Sequence, residues 1–527
     1  MQFFKFSTSL ILLPGITLYI IFYLYYVLIP VLYGEDIIRD FSPEFKVIEN
    51  MFGVHTNIVW DGNRNIDEST YSGTEIDLKR FFPEGSFSID IKSRFLHSIG
   101  KSSPEILESR YNASIPVVEG VVYPEYNNLN SIIDGIKNSG FKALVFGGGT
   151  NVTGCFRLKP DSGVIALDTS RLNNISLKGN TVTVGSGTYG PELEKTLNSH
   201  GYTCGNFPES FNHSTVGGWI STLENGQESN QYGGIENAII SVRAVTSHGE
   251  IEDRIVPRES SGLQAKSAFL GSEGKYGLIV NATLKAFRQP AKRFFKSYFF
   301  KSFKDGIEAI RTLDKFPTVL RLSDETETSI AISSGGDSSL KRLFLNYLRM
   351  RGVDKGAMMI GVNNNSPFPS KISGSISAGS YPAKQWFRER YTRPAMANIL
   401  WKHGYIPDTL ETSAMWDIIP ALHESIIQEF HSLERERGFK GIIMAHLSHM
   451  YETGACIYFT FIIRSENAME DLNAVRESIM RNFMKRGASL SDHHGTGTYL
   501  RKYENPAKIR MQSLLDDNLF SGWKNEL

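Results

Sequence analysis

Three short stretches dominate what this chain can become. GlyGlyGlyThrAsnVal (147–152), ProGluSerPheAsnHisSerThrValGlyGlyTrpIleSerThr (208–222) and GlySerGluGlyLysTyrGly (271–277) each combine glycines with hydroxyl or carboxyl side chains. The first follows directly on the apolar strand pattern LysAlaLeuValPhe (142–146), and the third leads into GlyLeuIleValAsnAlaThrLeuLysAla (277–286). Consecutive glycines let a backbone take positive φ and present successive N–H groups as a nest for an anion. Alone, the first loop is equally well explained as a tight structural turn. It is not a Rossmann fingerprint, because Val152 stands where G-x-G-x-x-G needs its last glycine and no amphipathic helix pattern opens there. The same chemistry repeated at three sites predicts that the loops converge on one dinucleotide held between two small sheets.

The 527 residues are too many for a single core, so two or three domains are expected. Further strand patterns fall at 117–122, 163–168, 180–185 and 238–246, with a helical stretch at 130–137. Together they describe an α+β domain over 111–290. It is preceded by a linking, partly helical segment (34–110). Alternating strands and helices make an α/β cap over 291–439, and residues 440–527 return to the cofactor.

Lysine plus arginine equals aspartate plus glutamate at 56 each. No field of either sign is available to gather nucleic acid, and a small or lipid-like substrate is the expected partner. Cys155, Cys204 and Cys456 are far apart, without metal-ligand spacing, and read as buried free thiols in a reducing compartment. From Phe6 to Gly34 there is no acid or base, which exceeds the roughly 20 residues that span a bilayer. Residues 8–33 are therefore read as one transmembrane helix anchoring the protein. Lys5 before it and Glu35 and Asp36 after it favour a cytoplasmic amino terminus. Opposing this, the sequons at Asn151 and Asn212 lie inside the glycine-rich loops, where a glycan would block the site. With the cysteine usage, they place the catalytic domain in the cytosol.

The three loops resemble the PCMH-type FAD-binding domain of the vanillyl-alcohol oxidase superfamily, and within it the alkyldihydroxyacetonephosphate synthase family. That resemblance continues through ArgLeuSerAsp (321–324), GluThrSerAlaMetTrpAsp (411–417), GlyAlaCysIleTyrPhe (454–459) and HisHisGly (493–495). It implies a two-subdomain FAD-binding domain under a cap. The FAD would be non-covalent, since the first loop offers Thr150 and no His or Cys to attach the ring. Cofactor contacts are implied for Gly147, Gly148, Gly149, Thr150, Asn151 and Val152; for Glu209, Ser210, Ser214, Thr215, Gly217, Gly218 and Thr222; and for Glu273, Gly274, Gly277 and Ile279. Tyr458, His493 and His494 match the family's catalytic tyrosine and the last two of its histidines, and Arg321 the arginine that supports them. The implied reaction is one of ether-lipid synthesis. A proton leaves the acyl-bearing carbon of acyl-dihydroxyacetone phosphate, and a long-chain alcohol replaces the fatty acid with no net redox change. Such proton transfers suit histidines and a tyrosine near neutral pH.

Each of these residues also has a plain structural explanation. Tyr458 fits a core strand, His493-His494 a solvated turn or a weak metal site, and Arg321 a salt bridge. Only the joint match raises them above it. There are departures too. The family's histidine run begins one residue earlier, where this chain has Asp492. Its phosphate-binding arginine aligns by spacing with Ala397, leaving Arg393, one turn earlier, as the candidate for substrate phosphate. After Thr222 the family's Arg-Ala-Ser-Gly is LeuGluAsnGly (223–226) here. The alternative function is an FAD-linked dehydrogenase or oxidase of a D-2-hydroxy acid such as D-lactate. A non-enzymatic flavin- or lipid-binding membrane protein would be expected to lose the histidines. No metal is expected, and a homodimer is the candidate assembly.

Overall fold

Strands alternate with helices from residue 117 onward because apolar runs of period two alternate with runs of period 3.6. The structure, a computed structural model, describes residues 42–52, 78–111, 115–159, 163–333, 339–369, 371–392 and 394–520. The anchor read at 8–33 and Arg393 lie outside the described residues. Among those described, no helix is long and apolar enough to cross a membrane.

The first sheet is built from β1 (Phe87–Ser88), β2 (Val121–Val122), β3 (Lys142–Phe146) and β4 (Val164–Asp168), in the order β1-β2-β4-β3. The helix Leu129–Ser139 covers it with Leu129, Ile132, Ile133 and Ile136, the helical spacing of one apolar face. Each such fully buried side chain contributes roughly 1.5–3 kcal/mol. The chain then runs through β5 (Ile175–Lys178), β6 (Thr181–Gly185), β7 (Tyr202–Thr203), β8 (Ile239–Thr246), β9 (Gly249–Glu252), β10 (Leu278–Lys285) and β11 (Phe287–Arg288). Five of these form an antiparallel sheet, β5-β6-β10-β8-β9, and β7 pairs with β11. These two main sheets are the α+β architecture expected from the sequence.

A larger antiparallel sheet follows: β12 (Arg293–Phe300), β13 (Val319–Ser323), β14 (Ala357–Asn364), β15 (Ile376–Ser377), β16 (Ile406–Met415), β17 (Lys440–Met450) and β18 (Gly454–Arg464). Their order is β15-β12-β14-β13-β17-β18-β16, so two central strands come from beyond residue 439. Alternation sorts β17 and β18 into two faces. Ile443, Ala445, Leu447, Ile457, Phe459, Phe461 and Ile463 join the core that also holds residues of the helices Ile419–Arg437 and Ala468–Arg486. His446 and Tyr458 fall on the opposite parity.

Residues after Gly487 tie the units together. Ser489 exchanges hydrogen bonds with Ser413 on β16. The amides of Thr496 and Gly497 donate to Glu273 Oε1 at 2.6 and 2.8 Å. Asp517 accepts from the Ser247 amide at 2.6 Å and donates its own amide to the Lys275 carbonyl at 3.0 Å.

Candidate active site

The first two glycine-rich loops lie against each other. A Cβ on Gly148 would sit 1.8 Å from the His213 carbonyl oxygen, and one on Gly147 would sit 2.5 Å from Thr215 Oγ1. Only glycine permits that approach, and Gly149 adds a φ of +64°. Thr215 caps the helix Val216–Thr222, accepting from the Gly218 amide at 3.3 Å, and Gly217 donates to the Ser186 carbonyl at 2.8 Å. Ser214 accepts the Trp219 indole N–H at 2.8 Å, and Thr222 donates to the Gly218 carbonyl at 3.0 Å. In the third loop Glu273, at a φ of +52°, donates its amide to the Ser221 carbonyl at 2.8 Å. Gly274 passes the side chain of Val145, Gly277 precedes β10, and Ile279 is buried within it. Thr150 and Val152 complete the first loop. Asn151 stitches that loop to the carboxy-terminal segment, with its side-chain amide 3.5 Å from the His494 carbonyl. Of the cofactor contacts expected from the sequence, Glu209 alone is exposed, with Ser210 next to it half-buried.

Opposite these loops, the large sheet presents a row of polar side chains. His446 on β17, Tyr458 on β18 and Glu411 on β16 are directly paired in register, so they share one face. The His446 ring stacks on Tyr458 at 4.4 Å. The Glu411 carboxylate then gathers the turn that follows residue 490. It accepts from Ser491 Oγ at 2.5 Å and from the amides of Asp492, His493 and His494 at 2.6, 3.3 and 3.2 Å. That grip sets His493 Nε2 2.9 Å from the Tyr458 hydroxyl and His493 Nδ1 2.9 Å from Asp492 Oδ2. His494 packs edge-on to both rings, 6.1 Å from Tyr458 and 4.6 Å from His493. Arg321, on β13, pairs with Glu327 at 2.5 Å, and Glu327 lies 3.5 Å from His446.

Two family models match the chain: "FAD binding domain" over residues 118–253 and "FAD linked oxidases, C-terminal domain" over residues 289–513. The chain is 28% identical over 452 residues to the alkyldihydroxyacetonephosphate synthase of Dictyostelium discoideum, covering 80% of this chain and 74% of that one. It is 26% identical over 524 residues to the Caenorhabditis elegans synthase, covering 92% and 85%. A solved alkyldihydroxyacetonephosphate synthase superposes with a TM-score of 0.73 at 25% identity, over 89% of this chain and 88% of that one. This is an FAD-dependent enzyme similar to alkyldihydroxyacetonephosphate synthases. A solved 4-ethylphenol oxidase from Gulosibacter chungangensis shares the fold alone, with a TM-score of 0.60 at 11% identity.

The loops of this synthase-like protein suit the cofactor chemically. The hydroxyls of Ser186, Thr188 and Ser272 are buried without a hydrogen-bond partner in the protein. Val216 and Gly217 bond the carbonyls of Thr188 and Ser186, so these orphans sit at the second loop, and Ser272 belongs to the third. Buried polar groups without partners are rare and call for a ligand or water.

Electrostatics divide the cluster. Burial by itself would lower His493, but Glu411, the bond to Asp492 and Glu224 reverse this and raise it to about 10. The imidazolium in turn holds Asp492 well below the usual carboxylate range against the effect of burial. His494 is driven the other way, to about 4, by burial and by the positive charge of His493. Burial, then the surrounding Cys456, Glu411 and Asp492, push the Tyr458 phenol well above its ordinary value, so it stands protonated. Glu224, in the segment that departs from the family pattern, is lifted by burial to about 7.

The structure thus brings Tyr458, His493 and His494 together and sets Arg321 two residues removed from them, through Glu327 and His446. Ala397 packs against the cap core. Four residues of the cluster escape the sequence reading: Glu411, His446, His449 and Glu224. Glu411 opens the GluThrSerAlaMetTrpAsp motif, and its alternation with Leu410 on β16 was a usable signal. His446 and His449 are three apart, which places them on opposite faces of a regular strand. A bulge between Ser448 and Met450, with His449 at a φ of +50°, undoes that parity. Such a backbone costs of order 1–3 kcal/mol and persists only where its surroundings enforce it. Cys155, Cys204 and Cys456 are all buried free thiols. The Cys456 sulfur and atoms of Glu411, Asp492 and His493 lie within 4.8 Å of one another, but both carboxylates accept hydrogen bonds from this turn and His493 is an imidazolium, so the group is a hydrogen-bonded cluster.

Proposed function

We propose that this enzyme exchanges the acyl group of acyl-dihydroxyacetone phosphate for a long-chain alcohol, as an alkylglycerone-phosphate synthase of ether-lipid synthesis. The observation that carries this reading is the Tyr458 hydroxyl 2.9 Å from a charged, Asp492-backed His493, on the sheet face that meets the glycine-rich loops. The similarity of most of the chain to synthases of that name supports it. The similarity to D-lactate dehydrogenases is confined to smaller parts, such as 31% of the chain for the Saccharomyces cerevisiae protein.

In this reading Gly147–Val152, with Ser214 and Thr215, hold the pyrophosphate of a non-covalent FAD, and Ser186, Thr188 and Ser272 supply hydroxyl donors. When bound, the flavin provides an electrophilic platform that carries the substrate carbon through the exchange without net redox change. The chain's own part is proton handling. Tyr458, protonated, stands beside His493, where its hydroxyl can give its hydrogen to the departing fatty acid and regain one from the incoming alcohol. His493, cationic across the neutral range, stabilises the negative charge that develops on that oxygen. His494, neutral, accepts the proton of the acyl-bearing carbon and returns it after the exchange. Arg321 fixes Glu327 and through it the His446 ring on which Tyr458 rests. Arg393 is the proposed contact for the substrate phosphate.

The test mixes purified protein with acyl-dihydroxyacetone phosphate and a fatty alcohol, and separately with D-lactate or D-2-hydroxyglutarate. Alkyl product with the flavin colour unchanged is the expected result. Lasting bleaching by a hydroxy acid, without alkyl product, would sink the reading in favour of the dehydrogenase. Tyr458→Phe is expected to lose turnover by at least about 10²-fold while keeping its FAD.

A further inference from the structure

The helix Ser339–Met350 packs its Phe344 and Leu348 against Phe299, Val353 and Met358. It is apolar on a second side as well. Leu343, Tyr347 and Met350, spaced i, i+4 and i+7, form one stripe that is 68%, 38% and 79% exposed. A single exposed apolar side chain needs no explanation, but a continuous row facing water on a helix already seated in its core does.

Cations border the row. Lys341, Arg342, Arg349 and Arg351 fall within residues 339–351, and that segment has no Asp or Glu, in a chain that carries 56 charges of each sign. Arg342, Asn346 and Arg349, all exposed, follow one edge of the stripe at helical spacing. Arg349 reaches Asp354, just beyond the segment, at 3.7 Å. At the other edge the exposed Arg351 guanidinium lies 6.0 Å from the centre of the Tyr347 ring. Apolar side chains between cations, with no acid among them, are what an interfacial helix offers to anionic headgroups.

The place of this helix in the fold fits a bilayer. Phe299, Met358, Ser323, His446 and Tyr458 are paired in register across β12, β14, β13, β17 and β18, so they share one face of the sheet. The helix therefore covers the face that carries the polar cluster, and Phe299 beneath it is four strand spacings, about 19 Å, from Tyr458. On the same face, Ile48 and Phe52 of the helix Ser42–Phe52 pack with Ile330, Ile442 and Ile462. Ile330 belongs to the helix Glu325–Ser333, whose Ile332 joins the cluster of Phe344 and Leu348. In sequence, seven residues join the helix Ser42–Phe52 to the uncharged run that ends at Gly34.

We propose that the helix Ser339–Met350 is a docking surface for an anionic bilayer. Leu343, Tyr347 and Met350 enter the interface, and Arg342, Arg349 and Arg351 meet the lipid phosphates. A second copy of the chain fits less well. Two such helices across a twofold axis set arginine against arginine, with no acid in the segment to pair them.

A fluorophore on the helix tests this. Cys155, Cys204 and Cys456 are buried, so in the folded full-length protein a thiol-reactive nitrobenzoxadiazole label goes to an introduced cysteine. Met350→Cys reports on the helix, and Leu263→Cys, at a site 70% exposed in the FAD-binding domain, is the reference. Each protein is reconstituted into vesicles of phosphatidylcholine carrying spin-labelled lipid, with or without phosphatidylserine. The label at 350 is expected to be quenched in the phosphatidylserine vesicles, and the label at 263 to stay bright. Leu343→Glu changes an exposed site, so flavin content is expected to stay at the wild-type level while the quenching at 350 is lost. Arg349→Gln with Arg351→Gln is expected to weaken docking by about 5-fold for each cation removed. Quenching at 350 no greater than at 263, or equally strong without phosphatidylserine, overturns the proposal. So does a blue shift of the label without vesicles that grows with protein concentration, the mark of self-association. None of these readouts uses substrate, so failure here leaves the assigned reaction standing, and failure of that reaction leaves the docking surface.

Discussion

Replacing Asp492 with asparagine probes the charge on which the site turns. His493 rises from 6.5 to about 10 in the folded protein. That rise of about 3.5 corresponds to roughly 5 kcal/mol in favour of the imidazolium at about 1.36 kcal/mol per pKa unit. It is shared between Glu411, the hydrogen bond to Asp492 and Glu224. A hydrogen bond to a charged group is worth about 1.5–3 kcal/mol, or about one to two of those units. In Asp492→Asn the histidine is therefore expected to titrate at about 8 to 9. Asparagine keeps an oxygen for the Tyr451 hydroxyl, which donates to Asp492 at 2.8 Å, so the local packing survives. Because the folded value lies above the unfolded one, the stability His493 contributes is complete below about 6.5 and disappears as pH rises through the folded value. Wild type loses it near pH 10, and the variant one to two pH units sooner. The assay is a histidine nitrogen NMR titration, followed in parallel by turnover from about pH 6 to about pH 10 with FAD content monitored. The alkaline limb of turnover is expected to move down with the titration. An identical limb in both proteins would refute the assignment of His493 as a working cation.

Three further substitutions test other parts. Gly148→Ala places a methyl group 1.8 Å from the His213 carbonyl oxygen, so the two loops must separate, and the purified protein is expected to lose its flavin absorbance. Glu224→Gln removes the one carboxyl of the cluster raised to about 7, and the inflection of turnover near neutral pH is expected to vanish while the alkaline limb persists. Glu411→Ala strips the acceptor from the amides of Asp492, His493 and His494, and at about 1–3 kcal/mol for each buried orphan the urea midpoint should fall by at least about 3 kcal/mol in equivalent stability.

Much of the fold is legible in the order of residues alone. The run 142–146 is a strand at those same residues, and the patterns at 163–168, 180–185, 238–246 and 277–286 form β4, β6, β8 and β10 within a residue of those bounds. Such boundaries are local, because apolar period and turn residues act over a few positions. The helix expected at 130–137 extends over 129–139 for the same reason. The sheet that carries Tyr458 is less legible. Its strand order brings 406–415 beside 454–464 and 319–323 beside 440–450, pairings far apart in sequence that no local signal encodes.

By itself, then, the sequence determined that three glycine-rich loops would lie against one another, since only glycine allows the approach of Gly148 to His213, and that small hydroxyl residues would leave donors free there. It also put Tyr458 on the parity opposite to Phe459, because a strand alternates. Only the tertiary structure decided that Glu411 would hold the turn of Asp492, His493 and His494 by their backbone amides. The same holds for the bulge that carries His449 across to the tyrosine. Both depend on register between distant strands and on a helix of another domain, and a hydrogen bond is too short-ranged for its partner to be written in the neighbouring residues.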